Sequence, residues 1–265
     1  MKKITSLILS VIILAVSLFT FASCSEPQIV VVGYTIYAPM NYFDENGTLV
    51  GFDTELAEAV FKKLDCGVTF KEIDWDNRYI ELESGTINCI WNGFTANTAD
   101  SDGILRSEKV DFSYNYMLNK QVVVTTKELV GTVVDFDSLS GKVGCVEKGS
   151  AGATYRESFT GSVEKAVTSQ LEALKQLALG TVDFVVLDEQ LAKAYVGKGD
   201  YADLAIADAV SSPSEYYAIG FKKGSDLTAL VNKALEELAA DGTIAKLAEK
   251  YGVATTAITD FSDQK

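Results

Sequence analysis

Arg106 is one of three arginines in the chain, beside Arg78 and Arg156, and it follows a short apolar stretch that ends in small and hydroxyl residues. A guanidinium group can hold a carboxylate through two parallel hydrogen bonds, which the ammonium group of a lysine cannot reproduce. Residues 92–95 add backbone N–H groups and the Thr95 hydroxyl, which also suit a carboxylate. This stretch predicts a site for a small carboxylate, although Arg106 could instead be a solvated surface cation.

Asp188 is a candidate for the opposite chemistry. It ends an apolar stretch, residues 182–187, that is typical of a buried strand. Open α/β sheets bind ligands at the C-terminal edges of their strands, which is where Asp188 would lie. Ser150 and Ala151 open a predicted helix whose first N–H groups lack partners and attract anions, although Ser150 could simply cap that helix.

Residues 89–117 resemble the first-lobe binding segment of the bacterial amino-acid-binding proteins, which are family 3 extracellular solute receptors of ABC importers. In that family a Gly-x-Thr strand end and a nearby Arg hold the α-carboxylate of the ligand, and an Asp-Phe-Ser segment follows. Gly93, Thr95, Arg106 and residues 111–113 match this pattern in order. The resemblance implies that these residues bind the ligand carboxylate.

The same resemblance implies further roles in the second half of the site. Asp188 matches the acid that takes the ammonium group of the ligand, and the N–H groups of Ser150 and Ala151 would assist at the carboxylate. One departure is the loop 96–105, which is longer than the usual connection of the family. We expect this loop to be a solvated surface insertion.

Aromatic side chains are expected to form the walls of the site. In the family, rings equivalent to Tyr37 and Trp75 stack on the ligand, and Tyr34 replaces a common Asp. This replacement and the shortage of positive charge favour a neutral or polar ligand. Asn92 could hydrogen-bond a polar ligand side chain, or only its own turn.

The apolar pattern predicts the elements that position these residues. Residues 29–32 and 89–91 are apolar runs typical of buried strands, and residues 68–73 are predicted to be the strand between them. A helical pattern capped by Asp53 or Thr54 separates the first two strands along the chain. A second series of strands and helices follows, so the chain is predicted to be an α/β protein with two sheets.

The resemblance covers residues 29–252 and implies the two-lobe periplasmic-binding-protein (Venus flytrap) fold. We expect residues 29–118 and 216–255 to form the first lobe and residues 119–215 to form the second. Two chain passes, near 117–121 and 211–215, would make a two-strand hinge. An amino acid is a zwitterion, so Arg106 on one lobe and Asp188 on the other would let it bridge the closed form.

The N-terminus has the features of a secretory signal. Basic residues 2–3 precede the apolar run 4–19, and small residues lead to Cys24. This resembles the lipobox of bacterial lipoproteins, so we expect residues 1–23 to be removed, Cys24 to be lipidated, and 24–28 to form a tether. The exported protein would be lipid-anchored at the outer face of the cytoplasmic membrane, or periplasmic. An uncleaved anchor is the alternative, because the apolar run is nearly long enough to span a bilayer.

Composition narrows the function classes. The chain has 265 residues and a formal net charge of −14, which argues against nucleic acid, whose phosphates demand a basic face. The sequence contains no histidine and no CxxC spacing, so we expect no metal site and no cofactor. Cys66, Cys89 and Cys145 are expected to be free thiols, although Cys66 and Cys89 could pair if their strands are neighbours. The protein is expected to be a monomer.

We therefore expect a substrate-binding lipoprotein that captures a free amino acid and delivers it to the membrane permease of an ABC importer. A dehydratase on the same fold is the first rival. Without histidine a Ser–His–Asp triad is excluded, and nothing pairs Glu147 or Asp188 with a nucleophile, so we expect no enzyme. A ligand-sensing receptor module is the second rival, disfavoured because no membrane span or signalling domain follows Lys265.

Overall fold

The structure of the protein is a computed structural model that describes residues 28–264. The predicted signal peptide, Cys24 and the tether up to residue 27 lie outside this range. Among the helices within it, none combines the length and the apolar character needed to cross a membrane. Cys66, Cys89 and Cys145 are free thiols, the last two of them buried.

The strands within residues 28–264 are β1 Ile29–Tyr34, β2 Tyr42–Phe43, β3 Leu49–Val50, β4 Gly67–Glu72, β5 Cys89–Ile90, β6 Asp111–Phe112, β7 Met117–Asn119, β8 Gln121–Thr126, β9 Val143–Glu147, β10 Val163–Val167, β11 Phe184–Asp188, β12 Leu204–Ser211, β13 Glu215–Tyr217 and β14 Gly220–Phe221. The α-helices are α1 Phe52–Lys63, α2 Arg78–Glu83, α3 Arg106–Lys109, α4 Ala151–Arg156, α5 Gln170–Ala178, α6 Glu189–Tyr195, α7 Leu227–Ala240 and α8 Thr243–Lys250.

The first lobe is built on a five-stranded sheet in the order β4-β1-β5-β14-β6. β1 is parallel to β4 and β5, whereas β14 returns from the far end of the chain and pairs antiparallel with β5 and β6. Helix α1 buries Leu56 and Val60, two residues of its predicted apolar face. The C-terminal helices α7 and α8 pack against α1, which returns the end of the chain to this lobe.

The second lobe is built on another five-stranded sheet, in the order β10-β9-β11-β8-β12. β9 is parallel to β10 and β11, and β8 is antiparallel to β11 and β12. β11 is buried along its whole length, as its continuous apolar sequence predicts. The predicted two-lobe α/β fold is confirmed.

Two extended segments connect the lobes. β7 pairs antiparallel with β13, with Asn119 opposite Glu215. Just beyond this pair, the backbone N–H of Gln121 donates to Ser212 Oγ at 2.8 Å. The chain therefore crosses between the sheets twice, side by side, in the predicted two-strand hinge.

The start of α1 differs from the prediction. Its N-cap residue is Gly51, and no side chain caps the helix. Asp53 is fully buried, where Oδ2 accepts hydrogen bonds from Gly93 N and Tyr116 Oη, both at 2.9 Å. Asp53 thus connects α1 to the segment after β5 instead of capping its own helix.

Candidate functional site

A pocket lies between the lobes, where the C-terminal ends of β1, β5, β9 and β11 meet. Every predicted ligand-binding residue except Tyr34 lines it. The lining residues are Thr35, Ile36, Tyr37, Trp75, Asn92, Gly93, Thr95, Arg106, Glu147, Ser150, Ala151, Gln170, Asp188 and Leu191.

Tyr34 is the predicted site residue that lies away from the pocket lining. Its ring packs edge-on against Phe70, with the ring centroids 6.3 Å apart. Successive side chains of a strand point to opposite faces, and Tyr34 shares its face with Val32, the partner of Phe70 in the sheet. The structure therefore does not bring Tyr34 to the pocket with the other predicted residues, and Thr35 and Ile36 line the pocket instead.

Arg106 is not the solvated cation of the alternative interpretation, since only 1% of it is exposed. Its Nη1 donates to the carbonyl oxygen of Thr95, and its Nη2 donates across the cleft to the carbonyl oxygen of Gly149, both at 3.2 Å. These are long bonds to neutral acceptors. The Nη edge of the guanidinium thus faces the space between the lobes with weak partners.

Asp100 corrects the prediction for the loop 96–105. Residues 101–105 are exposed, but Asp100 is only 8% exposed and accepts a hydrogen bond from Arg106 Nε at 2.8 Å. Burial raises the pKa of this carboxyl, but the guanidiniums of Arg106 and Arg78 outweigh that effect and hold the pKa at about 2. Asp100 is buried beside Arg106 because a buried guanidinium requires a counter-charge. The loop 96–105 therefore helps to hold Arg106 in place beside the pocket.

Asp188 lies at the opposite side of the pocket and is held by amides. Its Oδ1 accepts from Asn119 Nδ2 at 2.6 Å and from Gln121 Nε2 at 2.7 Å, while Oδ2 accepts from Gln170. Burial raises the pKa of this carboxyl. No cation of the protein pairs with it among the described residues, so the carboxylate is free to pair with a ligand ammonium.

Two further buried carboxyls were not among the predicted site residues. Glu147 lines the pocket, and burial together with the charge of Asp188 raises its pKa to about 8. Glu215 lies behind Asp188, accepts from Gln121 Nε2 at 2.9 Å, and has a pKa raised to about 7, mainly by burial. Glu147 ends β9 as Asp188 ends the neighbouring β11, so the rule that identified Asp188 also applied to Glu147.

The aromatic wall is fixed by contacts within the protein. Tyr37 Oη and Tyr217 Oη lie 2.6 Å apart in a buried hydrogen bond. Trp75 packs edge-on against Phe94, with centroids 5.4 Å apart. Tyr37 and Trp75 are thus held at the pocket before any ligand arrives.

The side chain of Asn92 is hydrogen-bonded outside its own turn, to the segment that follows β1. Oδ1 accepts from Thr35 Oγ1 at 2.6 Å, and Nδ2 donates to Thr35 O at 2.9 Å and to Asn41 Oδ1 at 2.7 Å. Asn92 joins the two segments that follow β1 and β5. It therefore shapes the pocket that it lines.

Ser150 and Thr95 have partners of their own. Ser150 Oγ accepts from Ala153 N at 3.0 Å as the N-cap of α4, and Ser150 N–H donates to Glu147 O at 3.2 Å. Thr95 Oγ1 donates to Glu215 Oε2 at 3.3 Å. The capping role of Ser150 is present in the structure, beside its position in the pocket lining.

The arrangement provides one cationic and one anionic pole in a single buried pocket, each contributed by a different lobe. Arg106 and the Thr95 region come from the first lobe, and Asp188 comes from the second. The lobes also meet at the mouth, where Lys148 Nζ lies 2.7 Å from Asp76 Oδ2. Such a site can hold a small zwitterion and exclude water from it.

Comparison with known proteins identifies the family of the chain. The sequence model of the bacterial extracellular solute-binding proteins, family 3, matches residues 29–254. The chain belongs to this family. Its members are extracellular or periplasmic solute-binding proteins, and the match spans both lobes.

Individual relatives of this family 3 protein are binding proteins. The L-cystine-binding protein TcyA of Bacillus subtilis (strain 168) is 30% identical over 236 residues, which cover 87% of this chain and 84% of TcyA. The solved structure of an ancestral arginine-binding protein bound to arginine has a TM-score of 0.76 and 35% identity, covering 84% of this chain and 98% of the ancestral one.

A third relative bears on the enzyme alternative. The structure of the ancestral amino-acid-binding protein AncCDT-1, a precursor of cyclohexadienyl dehydratase, has a TM-score of 0.74 and 26% identity, covering 84% of this chain and 95% of that one. The three relatives show that the chain is similar to amino-acid-binding proteins throughout its two lobes.

Proposed function

We propose that this family 3 protein captures a free α-amino acid between its lobes and delivers it to the membrane permease of an ABC importer. The observation that carries the proposal is the pair of opposite poles in one buried pocket, Arg106 and Asp188. The α-carboxylate would replace the long bonds of the Arg106 Nη groups with shorter, charge-assisted ones. The α-ammonium would pair with Asp188, supported by the ring of amides around that carboxylate.

Closure follows from the division of the poles between the lobes. A ligand that touches both Arg106 and Asp188 makes its full set of contacts only when the lobes are together, so it binds the closed form more tightly than the open form. Thr95, Gly93, Ser150 and Ala151 would complete the carboxylate end of the site.

We further propose a neutral or polar ligand side chain. Glu147 adds a second buried carboxyl to the pocket, and its pKa of about 8 keeps it mostly protonated at pH 7, so it can hydrogen-bond a polar side chain. An anionic side chain would instead be repelled by the neighbouring charge of Asp188. Tyr37 and Trp75 supply apolar surface for the rest of the side chain. A side chain that donates a hydrogen bond to Glu147 satisfies both features.

A screen for ligand-induced stabilisation tests the function. The twenty amino acids, L-cystine and prephenate would be added to the protein while its thermal unfolding is followed. A ligand at about a hundredfold its Kd contributes about 2.7 kcal/mol, which raises Tm by several degrees. We expect a neutral or polar amino acid to do so, and glutamate and aspartate to have no effect. Conversion of prephenate, followed by NMR, would instead support the dehydratase.

Lipid anchoring through Cys24 is a separate proposal that rests on the sequence before residue 28. A diacylglycerol supplies two acyl chains, and two chains make attachment stable where one is marginal. Replacing Cys24→Ser should release the protein from the membrane fraction, with no change in its ligand-induced stabilisation. A Cys24→Ser protein that still partitions into the detergent phase would show that the segment is an uncleaved anchor.

A further inference from the structure

Asp100 is the centre of a buried charge cluster beside the pocket. Its Oδ1 accepts from Arg106 Nε and from Arg78 Nη2, both at 2.8 Å. Its Oδ2 accepts from Lys109 Nζ at 2.8 Å and from Tyr79 Oη at 2.7 Å. One carboxylate thus receives hydrogen bonds from three cations and a phenol.

Arg78 connects this cluster to the aromatic wall. Its Nη1 donates to the carbonyl oxygen of Trp75 at 2.8 Å, and its guanidinium carbon lies 4.4 Å from the ring centroid of Tyr79. Arg78 is 2% exposed, so the bond to Asp100 is shielded from water. The loop 96–105 is in this way fixed to the segment that carries Trp75.

The guanidinium of Arg106 has its Nε–H bonded to a carboxylate and its two Nη groups bonded only to carbonyl oxygens. Asp100 takes the Nε–H, whereas Nη1 and Nη2 reach only the carbonyl oxygens of Thr95 and Gly149 at 3.2 Å. A guanidinium bound firmly at Nε cannot rotate to present that edge to the cleft. Its Nη edge stays directed at the pocket, where a carboxylate can accept two hydrogen bonds from it.

We propose that Asp100 is a positioning residue for ligand capture, which holds the Nη edge of Arg106 in the orientation that grips a ligand carboxylate. This inference rests on the proposed function, because it assigns Arg106 to the ligand. It gives the loop 96–105 a role in binding. The side chain of Arg106 is oriented before the ligand arrives, so binding costs less conformational entropy.

Two substitutions separate positioning from simple charge balance. Asp100→Asn removes the counter-charge, whereas Asp100→Glu keeps it and displaces it by one methylene. A counter-charge role predicts that Asp100→Glu binds like wild type, and a positioning role predicts that both variants lose affinity. Asp102→Asn is the matched control, since Asp102 is half exposed and bonds to Lys109 but not to Arg106.

Calorimetric titration of the purified protein with L-arginine, L-glutamine and L-cystine as probes measures the effect. We expect Asp100→Glu to weaken the best of these probes by about tenfold or more, the size of one lost charge-assisted hydrogen bond. In an Arg106→Lys background, Asp100→Glu should change affinity less than about twofold, because the group that it orients is gone. Native affinity in Asp100→Glu, or an equal loss in both backgrounds, would overturn the proposal.

A ligand-free measurement keeps the positioning role testable if none of the probes binds, which would count against the proposed function. The Nε–H proton of Arg106, observed by NMR, should exchange slowly with solvent in wild type and in Asp102→Asn. It should exchange quickly in Asp100→Glu and Asp100→Asn. Slow exchange in the folded Asp100→Glu variant would show that other contacts orient Arg106, and would exclude the role of Asp100.

Discussion

Gly93 shows how a single residue of the pocket lining also sets the shape of the pocket. Its φ of 59° lies in the left-handed region, and its N–H donates to the buried Asp53. A Cβ atom at this position would lie 2.6 Å from Cε1 of Tyr37, whose hydroxyl is bonded to Tyr217. Only glycine combines this backbone conformation with room for the ring.

We therefore expect Gly93→Ala to weaken amino-acid binding strongly and to destabilise the fold by about 2–4 kcal/mol, from backbone strain and from displacement of the Tyr37 ring. Urea denaturation and calorimetric titration measure the two effects. Gly85→Ala is the matched control, since Gly85 has a similar φ of 74° with nothing within 4 Å of its added Cβ. It should lose stability by strain alone and bind normally; the same binding loss in both variants would contradict the account.

Some of these residue roles were predictable and others were not. The positions of Arg106 and Asp188 at the pocket were predicted from the family resemblance, and that of Asp188 also from its place at the end of an apolar strand. Tyr34 was misplaced because a strand end exposes side chains on both faces, and the sequence does not say which face meets the cleft. Asp100 was missed because its loop has the polar composition of an exposed insertion, and its contact with Arg78, 22 residues away, is not visible in the sequence.

At the level of the elements, pairing between strands explains why carboxyls and amides gather on one side of the pocket. β9 and β11 are parallel neighbours that end in Glu147 and Asp188. Pairing of β11 with β8 sets Asp188 opposite Gln121, and pairing of β13 with β7 sets Glu215 opposite Asn119. Both pairings thus place an amide against an acid, so the hinge and the anionic pole form one network.

This network should make stability depend on pH. Glu147 and Glu215 have folded-state pKa values of about 8 and about 7, above their ordinary value of 4.5, mainly because they are buried. The folded state therefore binds more protons than the unfolded state between about pH 4.5 and 8. Stability without ligand should be greatest near the bottom of this window and should fall as pH rises through it.

The change Glu147→Gln removes one of these titrating carboxyls. We therefore expect the urea midpoint of the variant to decrease less between pH 5 and pH 8 than that of the wild type. Each such group contributes at most about 1.4 kcal/mol per pH unit within its window. Glu157→Gln, on an exposed part of the second lobe, should keep the wild-type slope. An unchanged slope in Glu147→Gln would mean that Glu147 is ionised throughout the window.

The sequence predicts the elements better than their junctions. Continuous apolar runs identified β1 and β11, because strands buried on both faces leave a strong pattern. The cap of α1 was misassigned, since Asp53 has the residue type of a cap but is recruited by Gly93 and Tyr116. Tertiary contacts of this kind override a local preference, and they are not visible in the sequence.

Across the whole molecule, each lobe contributes one pole and neither forms a complete site. The first lobe supplies Arg106 and the second supplies Asp188, while Lys148 and Asp76 join the two across the mouth. Binding and closure are therefore one event in this account. We expect the choice of ligand to depend on Glu147, Tyr37 and Trp75, which line the remainder of the pocket.

Calorimetric titration of Arg106→Ala and Asp188→Asn, with the amino acid that most stabilises the wild-type protein, tests this claim most directly. Removing one partner of a buried charge pair costs about 2–5 kcal/mol, so each variant should bind at least about thirtyfold more weakly while remaining folded by circular dichroism. Glu157→Gln should bind as wild type does. Near-native affinity in either pole variant would contradict the account of a zwitterion held between the two lobes.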